Sequence, residues 1–195
     1  VVQKGKLNDY FILGELSLDG QVKPIKGVLP ISVAARDAGF RGILLPRENS
    51  REAGVVKGIQ VLPVHTLSEC VEFLNGNRLI DPVEVDLDQI FRTELNYAVD
   101  FNDVKGQEHV KRCLEVAAAG GHNIIMVGPP GSGKTMLAKR LATILPDMNF
   151  EESLETTKIH SVMGLIPSNS ALIVTRPFRN PHHTISDAGL IGGGQ

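Results

Sequence analysis

Between Gly128 and Thr135 the chain reads GPPGSGKT, eight residues whose types and spacing suit the gripping of a polyphosphate. Gly128 and Gly133 bracket a loop, and glycine, lacking a Cβ, lets successive backbone amides turn inward toward phosphate oxygens. Pro129, Pro130, Gly131 and Ser132 complete that cradle. Lys134 is expected to set its ammonium between β- and γ-phosphates, and Thr135 to put its hydroxyl on magnesium. A helix beginning there would aim its positive end at the anion. The ligand implied is ATP with magnesium.

Such a loop needs a strand before it and a helix after it. Asn123 to Val127 is apolar enough for a buried strand, and Met136, Leu137, Leu141 and Leu145 give the following segment one apolar face. Upstream, Val110, Cys113, Leu114 and Ala117 stripe a helix closed by Gly120-Gly121, with His122 helping to close it. A working ATPase of this kind also needs a second strand ending in an acidic residue to hold magnesium. No apolar strand followed by Asp-Glu occurs after Thr135, and Ile191-Gly-Gly-Gly is a poor finish for a domain. The expectation is a truncated nucleotide-binding domain in which Ile124 to Val127 lacks strand neighbours on at least one side.

The first part of the chain has its own rhythm. Tyr10 to Leu18, Asp19-Gly20 and Gln21 to Ile25 read as a β-hairpin. Val28, Ile31, Ala34, Ala35 and Ala38 recur at helical spacing, with Pro30 in the first turn and Gly39 placed to cap the end. Gly42 to Leu45 reads as a strand, Ser50 to Val56 as a helix, and Ile59 to Val64 as a second strand despite Pro63. Thr66-Leu-Ser-Glu69 is a capping box opening a helix that carries Leu67, Cys70, Val71 and Leu74 and stops at Gly76. Asn77 to Asp100 is acidic and without strong period, and reads as a linker.

Composition narrows the partners. Across 195 residues, 42% hydrophobic and 22% charged content is that of an ordinary globular protein, and a net charge of −2 supplies no global basic field. Any nucleic-acid contact must therefore be a local patch. Arg176-Pro-Phe-Arg-Asn-Pro-His-His183 is such a patch: Arg176, Arg179, His182 and His183 could meet phosphates while Phe178 stacks on bases. The competing reading is a structured loop with Phe178 packed inward and the charges solvated. His160, His182, His183 and Asp187 are weak metal ligands, since adjacent histidines point apart on a strand and no cysteine pair accompanies them. Ser161 has no nucleophile elbow or oriented acid around it. Cys70 and Cys113 both read as small buried hydrophobes in a reducing compartment, not as a disulfide. No run approaches the roughly 20 apolar residues of a membrane span, so a cytoplasmic protein is expected.

These stretches together resemble the magnesium-chelatase-like AAA+ ATPases, in their ComM (YifB) branch. The resemblance rests on Leu13 to Pro30 (LGELSLDGQVKPIKGVLP), Asp100 to Lys111 (DFNDVKGQEHVK), Glu115 to Thr135 (EVAAAGGHNIIMVGPPGSGKT) and Arg176 to Gly194 (RPFRNPHHTISDAGLIGGG). It implies a mixed α/β and α+β chain: a partial Lon-protease-like domain over 1–76, a linker over 77–100, and the N-terminal part of a ring-forming AAA+ P-loop domain over 101–195. Val104 and Gly106 would match the backbone beside adenine. The acidic magnesium strand, the sensors, the arginine finger and the C-terminal lid would lie beyond Gln195, and the first strands of the Lon-like domain before Val1. In the ComM branch the resemblance implies a DNA branch-migration helicase serving natural transformation, closed as a homo-hexamer. Two other readings stay open. A metal-chelatase subunit shares the phosphate loop but would not be expected to carry the Lon-like domain or RPFRNPHHT. A Lon-type serine-lysine protease shares the first domain, but Leu29 occupies the position aligned with its lysine and no segment bears its serine.

Overall fold

The computed structural model describes residues 4–167, 170–181, 184–186, 189 and 192. The chain divides into two compact units, Val1–Asn96 with Met148–Val174, and Tyr97–Asp147 with Thr175–Gln195.

The first unit contains α1 (Lys4–Leu7), β1 (Tyr10–Ile12), β2 (Glu15–Leu16), β3 (Val22–Lys23), α2 (Val28–Asp37), β4 (Gly42–Pro46), α3 (Ser50–Ala53), β5 (Gln60–Val64), α4 (Leu67–Leu74) and α5 (Leu87–Thr93). The second contains α6 (Glu108–Gly120) and α7 (Lys134–Leu141), and α8 (Phe150–Met163) returns to the first. Strands β1, β4 and β5 form a parallel sheet in that order, in register Tyr10 to Gly42 and Gly42 to Gln60. The central strand β4, GILLP, is buried at every position, as a parallel strand covered on both faces must be. Its residues alternate. Leu44 packs with Leu62, Val64, Cys70 and Leu74 on the α4 side, while Ile43 and Leu45 pack with Val28, Ala53 and Val61 on the α2 and α3 side. The result is a helix, sheet, helix sandwich. Gly42 is needed at its rim, because a Cβ there would come 2.9 Å from the Tyr10 ring and 3.0 Å from the Gln60 carbonyl. Tyr10 in turn meets Phe73 edge to face, 5.1 Å between centroids.

The expected hairpin is smaller than its sequence suggests. Among the described strands β2 and β3 form the antiparallel pair, and the more apolar β1 joins the parallel sheet, where Tyr10 and Phe11 pack into the cores on its two sides. Helix α2 ends as expected: Gly39 (φ 84°) and Phe40 return their N–H groups to Arg36 and Ala35, closing the last turn. At its start Gly27 offers no side-chain cap. The buried Glu52 substitutes, accepting the Leu29 N–H at 3.0 Å, the Asn49 amide at 3.4 Å and the Ser161 hydroxyl. Within 77–100, Asp86 caps α5 by accepting from Gln89 N, and Ile90 is buried against Leu29, Val55 and Val56.

Thr66 caps α4 as read, accepting from Glu69 N at 3.2 Å. The reciprocal bond shifts by one residue, since Glu69 accepts from His65 N at 2.7 Å. That bond, aided by Arg78 and opposed by partial desolvation, holds the Glu69 carboxyl below its ordinary range. A depressed folded value gives stability that is present above the ordinary carboxylate range and is lost as pH falls through the lowered value. Glu69→Gln is therefore expected to lower the melting temperature at neutral pH and to flatten its acid limb, read from thermal melts between about pH 3 and pH 7.

Cys70 is buried, which pushes its thiol up. Cys113 corrects the sequence reading: it is exposed on α6, whose buried contacts are Leu114 and Ala117. No helix among the described residues is long and apolar enough to cross a membrane.

Candidate phosphate-binding site

The second unit is organised around the GPPGSGKT loop. Its core gathers Phe101, Val104, Leu114 and Leu137, so a short 3-10 turn at Phe101–Asp103, α6 and α7 share one apolar centre. Arg140 of α7 binds the turn by its Nε to Asp100 O at 2.9 Å and its guanidinium to Asp103 at 3.4 Å, while Thr143 Oγ1 accepts from Phe101 N at 3.2 Å. The Asp103 carboxyl lies below its ordinary range, chiefly through the Asp100 N–H and then through Arg140. The helix that begins at Lys134 is thereby fixed to the segment 100–104.

Within the loop, Gly131 (φ 78°) and Gly133 (φ 85°) are both left-handed, a conformation in which a Cβ would crowd the following carbonyl. Gly133 is also the N-cap of α7, so the unpaired amides of the first helical turn continue the loop's own. A Cβ on Gly128 would stand 3.1 Å from Ser132 Oγ, inside the cradle. Lys134 Nζ donates to Gly128 O and Pro129 O, both at 2.8 Å, and to Ser132 Oγ at 3.2 Å. An ammonium has three donors, and all three are used on loop oxygens, which holds the positive charge over the turn. Thr135 is exposed at the start of α7. Amides, a cation and a helix N-terminus converging on a turn whose Gly131 and Gly133 hold the left-handed conformation fit a bound phosphate chain.

Beside the loop lies a cleft of about 430 Å³, walled by Val110, Cys113 and Leu114 of α6 and by Ile124 to Pro129, with Gln107, Ser132 and Lys134 at its polar end. Such a slot can take a flat ring against its walls with anionic groups at the lysine. Val104 and Gly106 do not line it: Val104 is buried in the core and Gly106 (φ 69°) is exposed. Gln107, which the sequence reading passed over, does.

The buried strand expected at Asn123 to Val127 is not formed. Residues 122–129 have no regular structure, no strand pairs with them among the described residues, and Ile125 and Val127 are about nine-tenths exposed, at 88% and 91%. An apolar run of this kind becomes a buried strand only where a neighbouring strand accepts its backbone groups. In the stretch 176–183, Arg176 is anchored by its Nε on Pro146 O at 2.7 Å and by its N–H on the Tyr97 hydroxyl at 2.9 Å. Phe178 and Arg179 are exposed, whereas His182, His183 and Asp187 lie outside the described residues. His122 returns its N–H to Ala117 O at 2.9 Å and closes α6 as expected. Ser161 is buried on Glu52.

Comparison with known proteins follows the same residues. The family model for magnesium chelatase subunit ChlI matches residues 100–195, and a second, for subunit ChlI of Mg-chelatase, matches 1–49. The competence protein ComM of Haemophilus influenzae is 38% identical over 194 residues, 96% of this chain. The chain belongs to the magnesium-chelatase-like family, in its ComM/YifB branch. Another member, the uncharacterized YifB of Escherichia coli, is 38% identical over 97% of the chain, and an uncharacterized Mycobacterium tuberculosis protein is 44% identical over 97%. The chain spans only 36% to 37% of the length of these relatives. A shorter likeness, 36% over 66 residues, links 33% of the chain to 12% of Lon protease 2 of Bacillus subtilis.

Proposed function

We propose that this chain carries the magnesium-ATP-binding part of a cytoplasmic AAA+ ATPase that, at full length, forms a hexameric ring and remodels branched DNA in natural transformation and recombination. The observation that carries the proposal is the loop itself: two left-handed glycines, Gly131 and Gly133, with Lys134 held across them at the head of α7. Gly128 to Lys134 hold the phosphates and the Thr135 hydroxyl takes a magnesium position. Val104 and Gly106 are assigned to the backbone beside adenine by the family resemblance, although neither lines the cleft. Bound magnesium-ATP supplies the hydrolysable phosphoanhydride, and the residues of this chain bind and orient it. Hydrolysis belongs to groups of the whole protein.

On this reading 1–76 is a non-proteolytic Lon-like domain, 77–100 a linker and 101–195 the beginning of the AAA+ domain. The family matches at 1–49 and 100–195 support this division, whereas packing groups 77–96 and α8 with the first unit. A scaffold role for the first domain is supported by Leu29, which stands where a Lon lysine would and is fully buried. Arg176, Arg179, His182 and His183 are the proposed DNA contacts, with the exposed Phe178 as a stacking partner.

The name carried by both family models favours a second reading, a chelatase subunit driving magnesium into a porphyrin. ATP hydrolysis by the full-length protein separates the two. Branched DNA is expected to stimulate it several-fold. Stimulation by protoporphyrin and not by DNA would transfer the assignment to the chelatase.

A further inference from the structure

We propose that Gln107 is a positioning residue for the phosphate loop, fixing the direction of the Ser132–Gly133 peptide. The proposal rests on reading Gly128 to Thr135 as a triphosphate site. Gln107 is the only non-glycine residue with positive φ among those described, at φ 56° and ψ 38°. Glutamine has no local reason to adopt that conformation, which glycine or asparagine would hold with less strain. It stands at the N-cap of α6, yet its side chain makes no capping bond to its own helix. The amide is directed elsewhere. Its Nε2 donates to Ser132 O at 3.5 Å and lies 3.6 Å from where a Cβ on Gly133 would be.

The consequence follows from peptide geometry. No peptide bond among the described residues is cis, and in a trans peptide the carbonyl and the next N–H point in opposite directions. Drawing Ser132 O toward Gln107 therefore turns the Gly133 N–H away from α6. That N–H immediately precedes Lys134, whose ammonium bonds Ser132 Oγ on the same turn. Gln107 thus prepares one backbone donor for an anion, at the expense of its own backbone strain.

The test compares Gln107→Gly and Gln107→Glu with the wild-type chain, reading magnesium-ATP affinity by calorimetry and the melting temperature alongside. Glycine relieves the strain and removes the donor. The melting temperature should hold or rise while affinity falls about 3- to 10-fold, the worth of one hydrogen bond. Glutamate keeps the length but presents an acceptor to Ser132 O, and should weaken ATP more than glycine does. A Gln107→Gly chain that binds ATP as tightly as wild type, or that loses affinity only in step with a fall in melting temperature, would overturn the positioning role. If the wild-type chain bound no ATP, the phosphate-site reading itself would fail, and the proposal with it.

Discussion

Replacing Lys134 by alanine is expected to remove measurable magnesium-ATP binding, an affinity loss of about 100-fold or more, with the melting temperature nearly unchanged. The ammonium touches two loop carbonyls and the Ser132 hydroxyl. Directed at phosphate oxygens it makes charge-assisted hydrogen bonds worth about 1.5–3 kcal/mol each, and two of them account for the loss. Stability is spared because the lysine partners Gly128 and Pro129 are exposed, so water replaces the lost donor. Lys134→Arg should recover only part of the affinity. Its charge is retained, but a planar guanidinium cannot direct donors to both ends of so tight a loop as a point-like ammonium does. Calorimetry of the three chains under one magnesium concentration checks the order.

The second large effect concerns stability. Glu52→Ala should destabilise the first unit by about 2–5 kcal/mol, because it orphans at least two buried donors, each costing about 1–3 kcal/mol. These are the Leu29 N–H at the uncapped start of α2 and the Ser161 hydroxyl on α8, and the Asn49 amide also loses an acceptor. Asn49 keeps its bonds to the Ile25 backbone, 3.0 Å in each direction, so the turn before α3 should survive. Glu52→Gln, of the same shape, can place its one carbonyl oxygen where Oε1 accepts from both Leu29 N and Ser161, losing only the Asn49 contact, and should cost clearly less. Denaturant unfolding followed by far-ultraviolet circular dichroism measures both, and equal losses for alanine and glutamine would contradict the role given to the side-chain acceptor, since glutamine keeps both the shape and a carbonyl oxygen.

Much of the first unit could be read from local chemistry. Pro30 and Gly39 bound α2, Thr66 caps α4, and the buried β4 announces itself as an unbroken apolar run, because each depends on neighbours within a few residues. Segments whose structure depends on distant partners were not legible. Ile124 to Val127 has the composition of a strand but no ladder among the described residues, and composition carries no information about who sits alongside. Helix α8 is hidden for a different reason. Its buried stripe is Ser153, Thr157 and Ser161, spaced by four, while Ile159, Val162 and Met163 are exposed, so a hydrophobic period points to the wrong face. Small hydroxyl side chains let α8 approach α2 closely, and Thr157 and Ser161 find acceptors in Ser153 O and Glu52. Helix α5 was concealed among acidic residues, its one clear signal being the cap at Asp86.

At the candidate site the order reverses. The motif was plain in the sequence because each glycine and the lysine has a distinct geometric duty, and the left-handed Gly131 and Gly133 perform it. Gln107 was not, since a single glutamine after a glycine has no pattern, and only its backbone conformation and its reach to Ser132 distinguish it.

The most direct measurement is a titration of ATP, ADP and adenosine into the wild-type chain at several magnesium concentrations. One saturable site is expected, binding ATP and ADP in competition, tighter with magnesium, and leaving adenosine unbound over the same range. Absence of saturable binding, or equal affinity for adenosine at every magnesium level, would contradict a site built around Gly128 to Thr135.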